Sequence, residues 1–215
     1  ITYRINSDKS GLTPIARIPI QGRRSSFSYL DPPSWSPDGQ RIAIGLDHQH
    51  YKSAYSRIRI HDTNGTKLEE IRTQAQKVKQ IEWSPDGSQL AYVLVGNPRP
   101  DPVLDKQLHF VDLDAPDQAK ILKHTSPSWS PQGKRLAYME REDCMGLQWK
   151  VWVYDLQTKK RLPIARTTIN LASIKWLPNG KRLCLWHTSS YLRDGKYKPA
   201  KTRGWIVDVS ELEGN

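Results

Sequence analysis

The chain has 215 residues, enough for one substantial core, and carries 33 lysines and arginines against 22 aspartates and glutamates, a net charge of +11. It has no apolar run of the length a membrane-crossing helix needs, so no transmembrane segment is expected. Its two cysteines, Cys144 and Cys184, lack metal-ligand spacing, so a zinc framework is excluded and two thiols are expected, with a bridge between neighbouring repeats as the alternative.

Taken in order, the first thirty residues read as the back half of a repeat. Ile1 to Ile5 is a strand, Asp8 to Gly11 its turn, and Pro14-Ile15-Ala16-Arg17 is spelled again at Pro163-Ile164-Ala165-Arg166. The chain opens on isoleucine rather than methionine, so trimming or processing is expected.

Four full repeats follow, each announced by one phrase: Trp35-Ser36-Pro37-Asp38-Gly39, Trp83-Ser84-Pro85-Asp86-Gly87, Trp129-Ser130-Pro131-Gln132-Gly133 and Trp176-Leu177-Pro178-Asn179-Gly180. The tryptophans are 48, 46 and 47 residues apart. Proline presets the first corner of a tight turn and glycine takes its left-handed position, so each phrase predicts a strand end followed by a hairpin turn. The apolar runs behind the turns, such as Arg41 to Ile44 and Arg135 to Tyr138, are too short for helices and predict returning strands. A third strand ends at an aspartate in every repeat: Asp62, Asp112, Asp155 and Asp208. A fourth strand closes the first three repeats, at Lys67 to Ile71, Ala119 to Leu122 and Arg161 to Ala165.

Four antiparallel strands repeated with a period in the forties predict an all-β fold, a β-propeller built from four-stranded blades. One domain is expected over 1–215, with a partial blade or closure strands at 1–30 and blades at 31–78, 79–124, 125–171 and 172–215. The predicted strands number seventeen. Two closures fit that number: a four-bladed ring completed by an N-terminal strand, with Ile1 to Ile5 left over, or a chain lacking its first half-blade or more. The motif tryptophans recur at one point of every repeat, so Trp35, Trp83, Trp129 and Trp176 are expected to pack between blades, with Pro37, Pro85, Pro131, Pro178 and Gly39, Gly87, Gly133, Gly180 shaping the turns.

The connections between second and third strands read as long loops, at Asp47 to Ser56, Gly96 to Gln107, Glu140 to Trp149 and His187 to Gly204. Long loops at one end of a rigid scaffold are where recognition concentrates. The positive excess gathers there and on the blade-to-blade connections. The candidate partner-binding residues are Arg23, Arg24, Lys52, Tyr55, Arg57, Arg99, Arg141, Trp149, Tyr191, Arg193, Lys196, Tyr197, Lys198, Lys201 and Arg203. Trp149, at a loop edge, is the expected surface anchor. The last loop mixes Tyr191 and Tyr197 with its cations, a composition that can also bind nucleic acid or another polyanion. A net positive charge favours an acidic protein or peptide as partner.

No catalytic group, metal site or cofactor is expected. The nucleophile elbow and the phosphate-binding glycine loop are missing from the sequence. Asp47, His48 and His50 form a local cluster without a third convincing ligand, and Asp62-Thr63-Asn64-Gly65 reads as a turn rather than a calcium loop.

The Trp-Ser-Pro-Asp-Gly turn, the Arg-Ile/Leu-Ala strand behind it and the aspartate-capped third strand resemble the TolB-type β-propeller repeat over nearly the whole chain, to about Val209. That resemblance implies a protein-binding scaffold rather than an enzyme, located in the periplasm or cell envelope, with the cytoplasm left open. The same repeat accompanies peptidase domains in prolyl-oligopeptidase-like and tricorn-like enzymes, where it gates access, so the propeller portion of a larger peptidase-type enzyme is the alternative.

Overall fold

The computed structural model describes residues 2–4, 13–16, 32–50, 53–74, 77–96, 106–116, 120–122, 125–142, 148–168, 171, 173–193 and 196–213. Among them are seventeen strands and, at Ser210–Glu213, a single 3-10 turn. The leading pair is β1 (Thr2–Arg4) and β2 (Thr13–Ala16). The first repeat holds β3 (Ser34–Trp35), β4 (Arg41–His50), β5 (Ser53–Asp62) and β6 (Lys67–Gln74). The second holds β7 (Lys77–Trp83), β8 (Gln89–Val95), β9 (Lys106–Asp112) and β10 (Lys120–Leu122). The third holds β11 (Thr125–Trp129), β12 (Arg135–Arg141), β13 (Trp149–Asp155) and β14 (Arg161–Thr167), and the last β15 (Ser173–Trp176), β16 (Arg182–Arg193) and β17 (Lys196–Asp208). Each repeat is one sheet with its strands in sequence order; the first three have four strands and the last has three. β1 and β2 pair with each other as a two-stranded sheet. The expected turn at Asp8 to Gly11 lies outside the described residues.

The repeated phrase folds the same way each time. Gly39 N–H donates to Ser36 O at 2.9 Å, and Ser36 N–H donates to Arg41 O at 2.9 Å, which closes the hairpin. The glycines at this point have φ between 68 and 71°, a region where a Cβ is strained. The serine and aspartate lock the turn: Ser36 Oγ donates to Asp38 Oδ1 at 2.5 Å and accepts from Arg41 N–H at 2.9 Å. Ser84 and Asp86 repeat this at 2.6 and 2.9 Å. The drifted copies keep the fold with fewer bonds. Ser130 Oγ still accepts from Arg135 N–H at 3.0 Å. The last turn has leucine at the serine position and retains the Gly180 N–H to Leu177 O bond at 2.9 Å and the Lys181 N–H to Asn179 Oδ1 bond at 3.0 Å.

The aspartates that end the third strands accept from their own turns. Asp62 Oδ1 takes the N–H groups of Asn64 and Thr66 at 2.9 and 2.8 Å. Asp155 Oδ1 takes those of Gln157 and Thr158 at 3.1 and 2.8 Å. These bonds are the physical content of the turn reading of Asp62 to Gly65: the carboxylate is consumed by the backbone it caps.

The chain divides into two compact units, Ile1–Asn97 with Phe110–Ala119, and Pro98–His109 with Lys120–Asn215. The first has a core of Ala43, Ile58, Ile60, Ile71, Val78, Trp83, Leu90, Tyr92, Leu94 and Val111. The second has a core of Ala137, Met139, Trp149, Val151, Val153, Leu171, Ile174, Trp176, Leu183, Leu185 and Val209. Both cores are made where a motif tryptophan meets the preceding repeat. Trp83 packs with Ile58 and Ile60, and its indole N–H donates to Ser34 O at 2.9 Å. Trp176 packs with Val151 and Val153, and its backbone N–H donates to Ser128 Oγ at 3.1 Å. Trp129 is buried as well, whereas Trp35 is 42% exposed.

Candidate partner-binding surface

One position of the repeat carries positive charge again and again. Five residues before each capping aspartate stand Arg57, Gln107, Lys150 and Arg203. It lies five residues along the third strand from the strand's Pro-x-Gly end. On β5 and β6, Arg57 sits opposite Arg72; on β13 and β14, Lys150 sits opposite Arg166. Like charges facing each other across strands repel, and each pair is held together by one carboxylate.

In the first sheet that carboxylate is Glu70. Arg59 Nε lies 2.9 Å and Arg57 Nη1 3.4 Å from its Oε2, and Arg72 Nε lies 3.6 Å from its Oε1. The Arg59 hydrogen bond, with the charges of Arg57 and Arg59, holds Glu70 below its ordinary value of 4.5 against an upward push from burial. Three guanidiniums on one carboxylate leave a local surplus of positive charge beside a cleft of about 350 Å³ lined by Arg57, Glu70, Arg72 and Thr73. In the third sheet Glu142 plays the same part: Lys150 Nζ lies 2.5 Å from Oε1 and Arg166 Nε 2.7 Å from Oε2. The Lys150 hydrogen bond, followed by the charge of Arg166, holds Glu142 low while desolvation opposes it. Arg166 Nη2 also donates to Gln148 Oε1 at 2.9 Å, beside a cleft of about 550 Å³ lined by Gln148, Arg166, Thr167 and Thr168.

Trp152, two residues further along β13, is fixed by its neighbours. Its indole N–H donates to Glu140 Oε2 at 2.6 Å, and the cations of Arg161 and Lys150 lie 4.5 and 5.8 Å from its ring. Arg161 Nε donates to Tyr138 Oη at 2.8 Å, and burial, the largest influence on that phenol, pushes it up to about 12, so it accepts as a neutral oxygen.

The expectation for Trp149 is corrected. It is buried in the core of the second unit with Val151 and Val153. Side chains alternate along a strand, and Trp149 shares the inward parity of those valines, while Lys150 and Trp152 take the outward one.

The last sheet differs from the others. Its second and third strands extend well past β15. The ladder runs unbroken from Leu185↔Trp205 through His187↔Arg203 to Ser189↔Lys201, then from Tyr191↔Lys198 to Arg193↔Lys196. The long loop expected from His187 to Gly204 is therefore a two-stranded ribbon. Its register shifts between Ser189 and Tyr191, where Pro199 has no N–H to give the ladder. Five cations stand between His187 and Arg203, namely Arg193, Lys196, Lys198, Lys201 and Arg203, against the single carboxylate of Asp194. Arg203 is exposed, and its sheet has three strands among the described residues. The expected loop from Asp47 to Ser56 is likewise a hairpin, with His48 opposite Tyr55 and His50 opposite Ser53.

Of the remaining candidates, Tyr55, Tyr191 and Tyr197 lie on these ladders, and Arg141 ends β12 opposite Trp149. Arg23, Arg24, Lys52 and Arg99 lie outside the described residues, as does Cys144; Cys184 is a free thiol. No cluster of His, Cys, Asp and Glu that could hold a metal occurs among the described residues. Sequence reasoning missed Arg59, Glu70, Arg72 and Glu142. The signal for the first three was present: Arg57 and Arg59 share a strand parity, and so do Glu70 and Arg72.

No family model matches the sequence, and no curated protein matches it. Solved structures match in fold. TolB from Acinetobacter baumannii is 19% identical, with a TM-score of 0.54 over 79% of this chain and 41% of its own. A TolB from Agrobacterium tumefaciens is 16% identical, with a TM-score of 0.62 over 97% of this chain and 70% of its own. An oligogalacturonate lyase in complex with manganese is 11% identical, with a TM-score of 0.62 over 85% of this chain and 52% of its own. The chain thus spans less than half of the first and about half of the third. At such identities the fold is what is shared, and it is a TolB-like β-propeller fold. The expectation that the chain is not an enzyme is corrected by the lyase: the same fold carries catalysis, so the repeat gives no ground for excluding it.

Proposed function

We infer that this TolB-like propeller binds a protein or peptide partner of acidic character through the basic β16–β17 ribbon. The observation that carries the reading is the cation five residues before three of the four capping aspartates. Arg57 and Lys150 are held by Glu70 and Glu142, while Arg203 is exposed at the base of a ribbon that adds Arg193, Lys196, Lys198 and Lys201. The ribbon is long and presented on a paired backbone, and its sequence places Tyr191 and Tyr197 among the cations. The TolB-type repeat carries a compartment with it, the periplasm or cell envelope. No helix among the described residues is long and apolar enough to cross a membrane.

The test is affinity capture from nuclease-treated lysate at moderate salt, run side by side with wild-type protein and a variant with Lys196, Lys198, Lys201 and Arg203 all changed to Gln. One dominant protein retained by the wild type and lost by the variant is the expected result. Equal retention by both removes the ribbon from the account.

A further inference from the structure

The two carboxylate clamps differ in how far they settle the charges around them. In the third sheet each cation has an oxygen of its own: Lys150 Nζ lies 2.5 Å from Glu142 Oε1 and Arg166 Nε 2.7 Å from Oε2. In the first sheet three guanidiniums share one carboxylate, and Glu70 serves them unequally. Arg59 Nε donates to its Oε2 at 2.9 Å. Arg57 Nη1 lies 3.5 and 3.4 Å from its two oxygens, at the long limit of a hydrogen bond. Arg72 Nε is 3.6 Å away, an ion pair without a hydrogen bond. Among the described residues the Arg72 guanidinium donates no hydrogen bond, and its side chain is 89% exposed.

The ladder imposes this crowding. Arg57 faces Arg72 across β5 and β6, and Arg59 faces Glu70 two residues along on the same side of the sheet. Like charges placed directly opposite repel. Glu70 is held below its ordinary value of 4.5, first by the Arg59 hydrogen bond, so it is ionised at neutral pH. Even so, one carboxylate against three guanidiniums leaves a surplus of two positive charges over these four side chains. Arg57 and Arg59 are half-buried, where salt screens a charge less than it does in open water.

This surplus borders the cleft of about 350 Å³ lined by Arg57, Glu70, Arg72 and Thr73, at the small end of the range for ligand sites, about 300–1,000 Å³. Thr73 is a fixed wall: it is buried, and its Oγ1 donates to Ser56 O at 2.8 Å. With that proton spent, the donors that the four lining side chains offer a guest are guanidinium N–H groups.

We propose that this cleft binds a dianionic oxyanion group, a phosphate or sulfate, free or as a monoester. Two negative charges match the surplus of two, and guanidinium forks pair their N–H groups with the oxygens of a tetrahedral anion. A carboxylate guest brings one charge and leaves half of the surplus in place. Glu70 also borders the cleft; its closest partner is Arg59, and the guest pairs with Arg57 and Arg72. The site lies in the first unit and stands apart from the ribbon reading, which uses residues of the last repeat.

Isothermal titration calorimetry with inorganic phosphate tests it, at constant ionic strength and about pH 8, where phosphate is a dianion. The wild type is expected to bind saturably, with sulfate competing and acetate at equal ionic strength not competing. Phenyl phosphate that binds at least as tightly as the inorganic ion assigns the cleft to a monoester; weaker binding assigns it to the free ion. Arg72→Ala is expected to lower phosphate affinity by about tenfold or more, the loss of one charge-assisted pair. Arg72 is exposed, so this variant keeps the unfolding midpoint of the parent. Arg72→Lys, which keeps the charge and loses the fork, recovers part of the affinity. The ribbon variant, with Lys196, Lys198, Lys201 and Arg203 changed to Gln, keeps all of it. The proposal is overturned if phosphate shows no saturable binding, if Arg72→Ala weakens it by less than that, or if the ribbon variant loses it.

Discussion

The third and last sheets are built from the same repeat, and they part company at the same two places. In the third, Val153 is buried under Trp176 and Lys150 is clamped by Glu142 beneath a fourth strand. In the last, Ile206 is exposed where Val153 is buried, and Arg203 is exposed where Lys150 is held. The residue types hardly change between the two: a branched aliphatic and a cation. What changes is what lies next to them. A repeat position therefore does not fix a role by itself. The same side chains make core and ion pair in the third sheet and stand exposed in the last.

The sharpest way to break this comparison is to place one carboxylate at the paired positions. Val153→Asp puts a charge at a site with no exposure and is expected to cost more than about 4 kcal/mol or to prevent folding. Ile206→Asp is expected to change monomer stability by no more than about 0.5 kcal/mol. Urea denaturation at low protein concentration reads both. Equal losses would mean that the last sheet is covered in solution.

The turns offer a smaller contrast. Gly39→Ala leaves the new methyl in open space, so its expected cost is the left-handed backbone alone, about 1–2 kcal/mol. Gly180→Ala carries the same backbone cost, and the exposed end of the Gln132 side chain that its Cβ meets can swing aside, so the two variants are expected to lose about the same. Ser84→Ala removes the buried hydroxyl that bonds Asp86 and Gln89 and is expected to cost about 1–2 kcal/mol. That locks the first two turns more firmly than the last, where Leu177 has no hydroxyl to give.

Acid supplies the smallest effect. The Ser84 hydrogen bond, ahead of the Ser88 N–H, holds Asp86 below its ordinary value of 3.8, and the Thr158 N–H does the same, first among several partners, for Asp155. A folded value below the unfolded one gives stability that is present above the unfolded value and lost as pH falls through the folded one. Stability is therefore expected to fall below about pH 4, and more shallowly in a variant carrying both Asp86→Asn and Asp155→Asn. Denaturation midpoints across the acid range check it. An unchanged slope would mean that these turns are not tighter for the carboxylate in the folded state.

Much of the architecture is legible in the sequence because the turn chemistry is local. Proline, glycine and a capping serine or aspartate act within five residues, and the seventeen expected strands are matched by seventeen among the described residues. The length of the last hairpin escaped because Lys198, Pro199 and Lys201 have the composition of a loop. Yet Asp194-Gly195 between two tyrosine-bearing runs is a strong hairpin signal. Trp149 was misplaced for want of counting parity back from Val153. The Glu70 and Glu142 clamps depend on cross-strand register, which the sequence does not state. Arg57 and Glu70 lie thirteen residues apart and meet only once the ladder has set them side by side.

The central functional claim is that the cations of the β16–β17 ribbon bind a specific acidic protein. Its most direct test is the affinity of the captured partner for wild-type protein and for the four-glutamine ribbon variant, measured as salt is raised. The account predicts a large loss of affinity in the variant and a fall of wild-type affinity with salt that the variant lacks, because the ribbon's cations carry the attraction. Equal affinity of the two proteins for the partner at every salt concentration would contradict it.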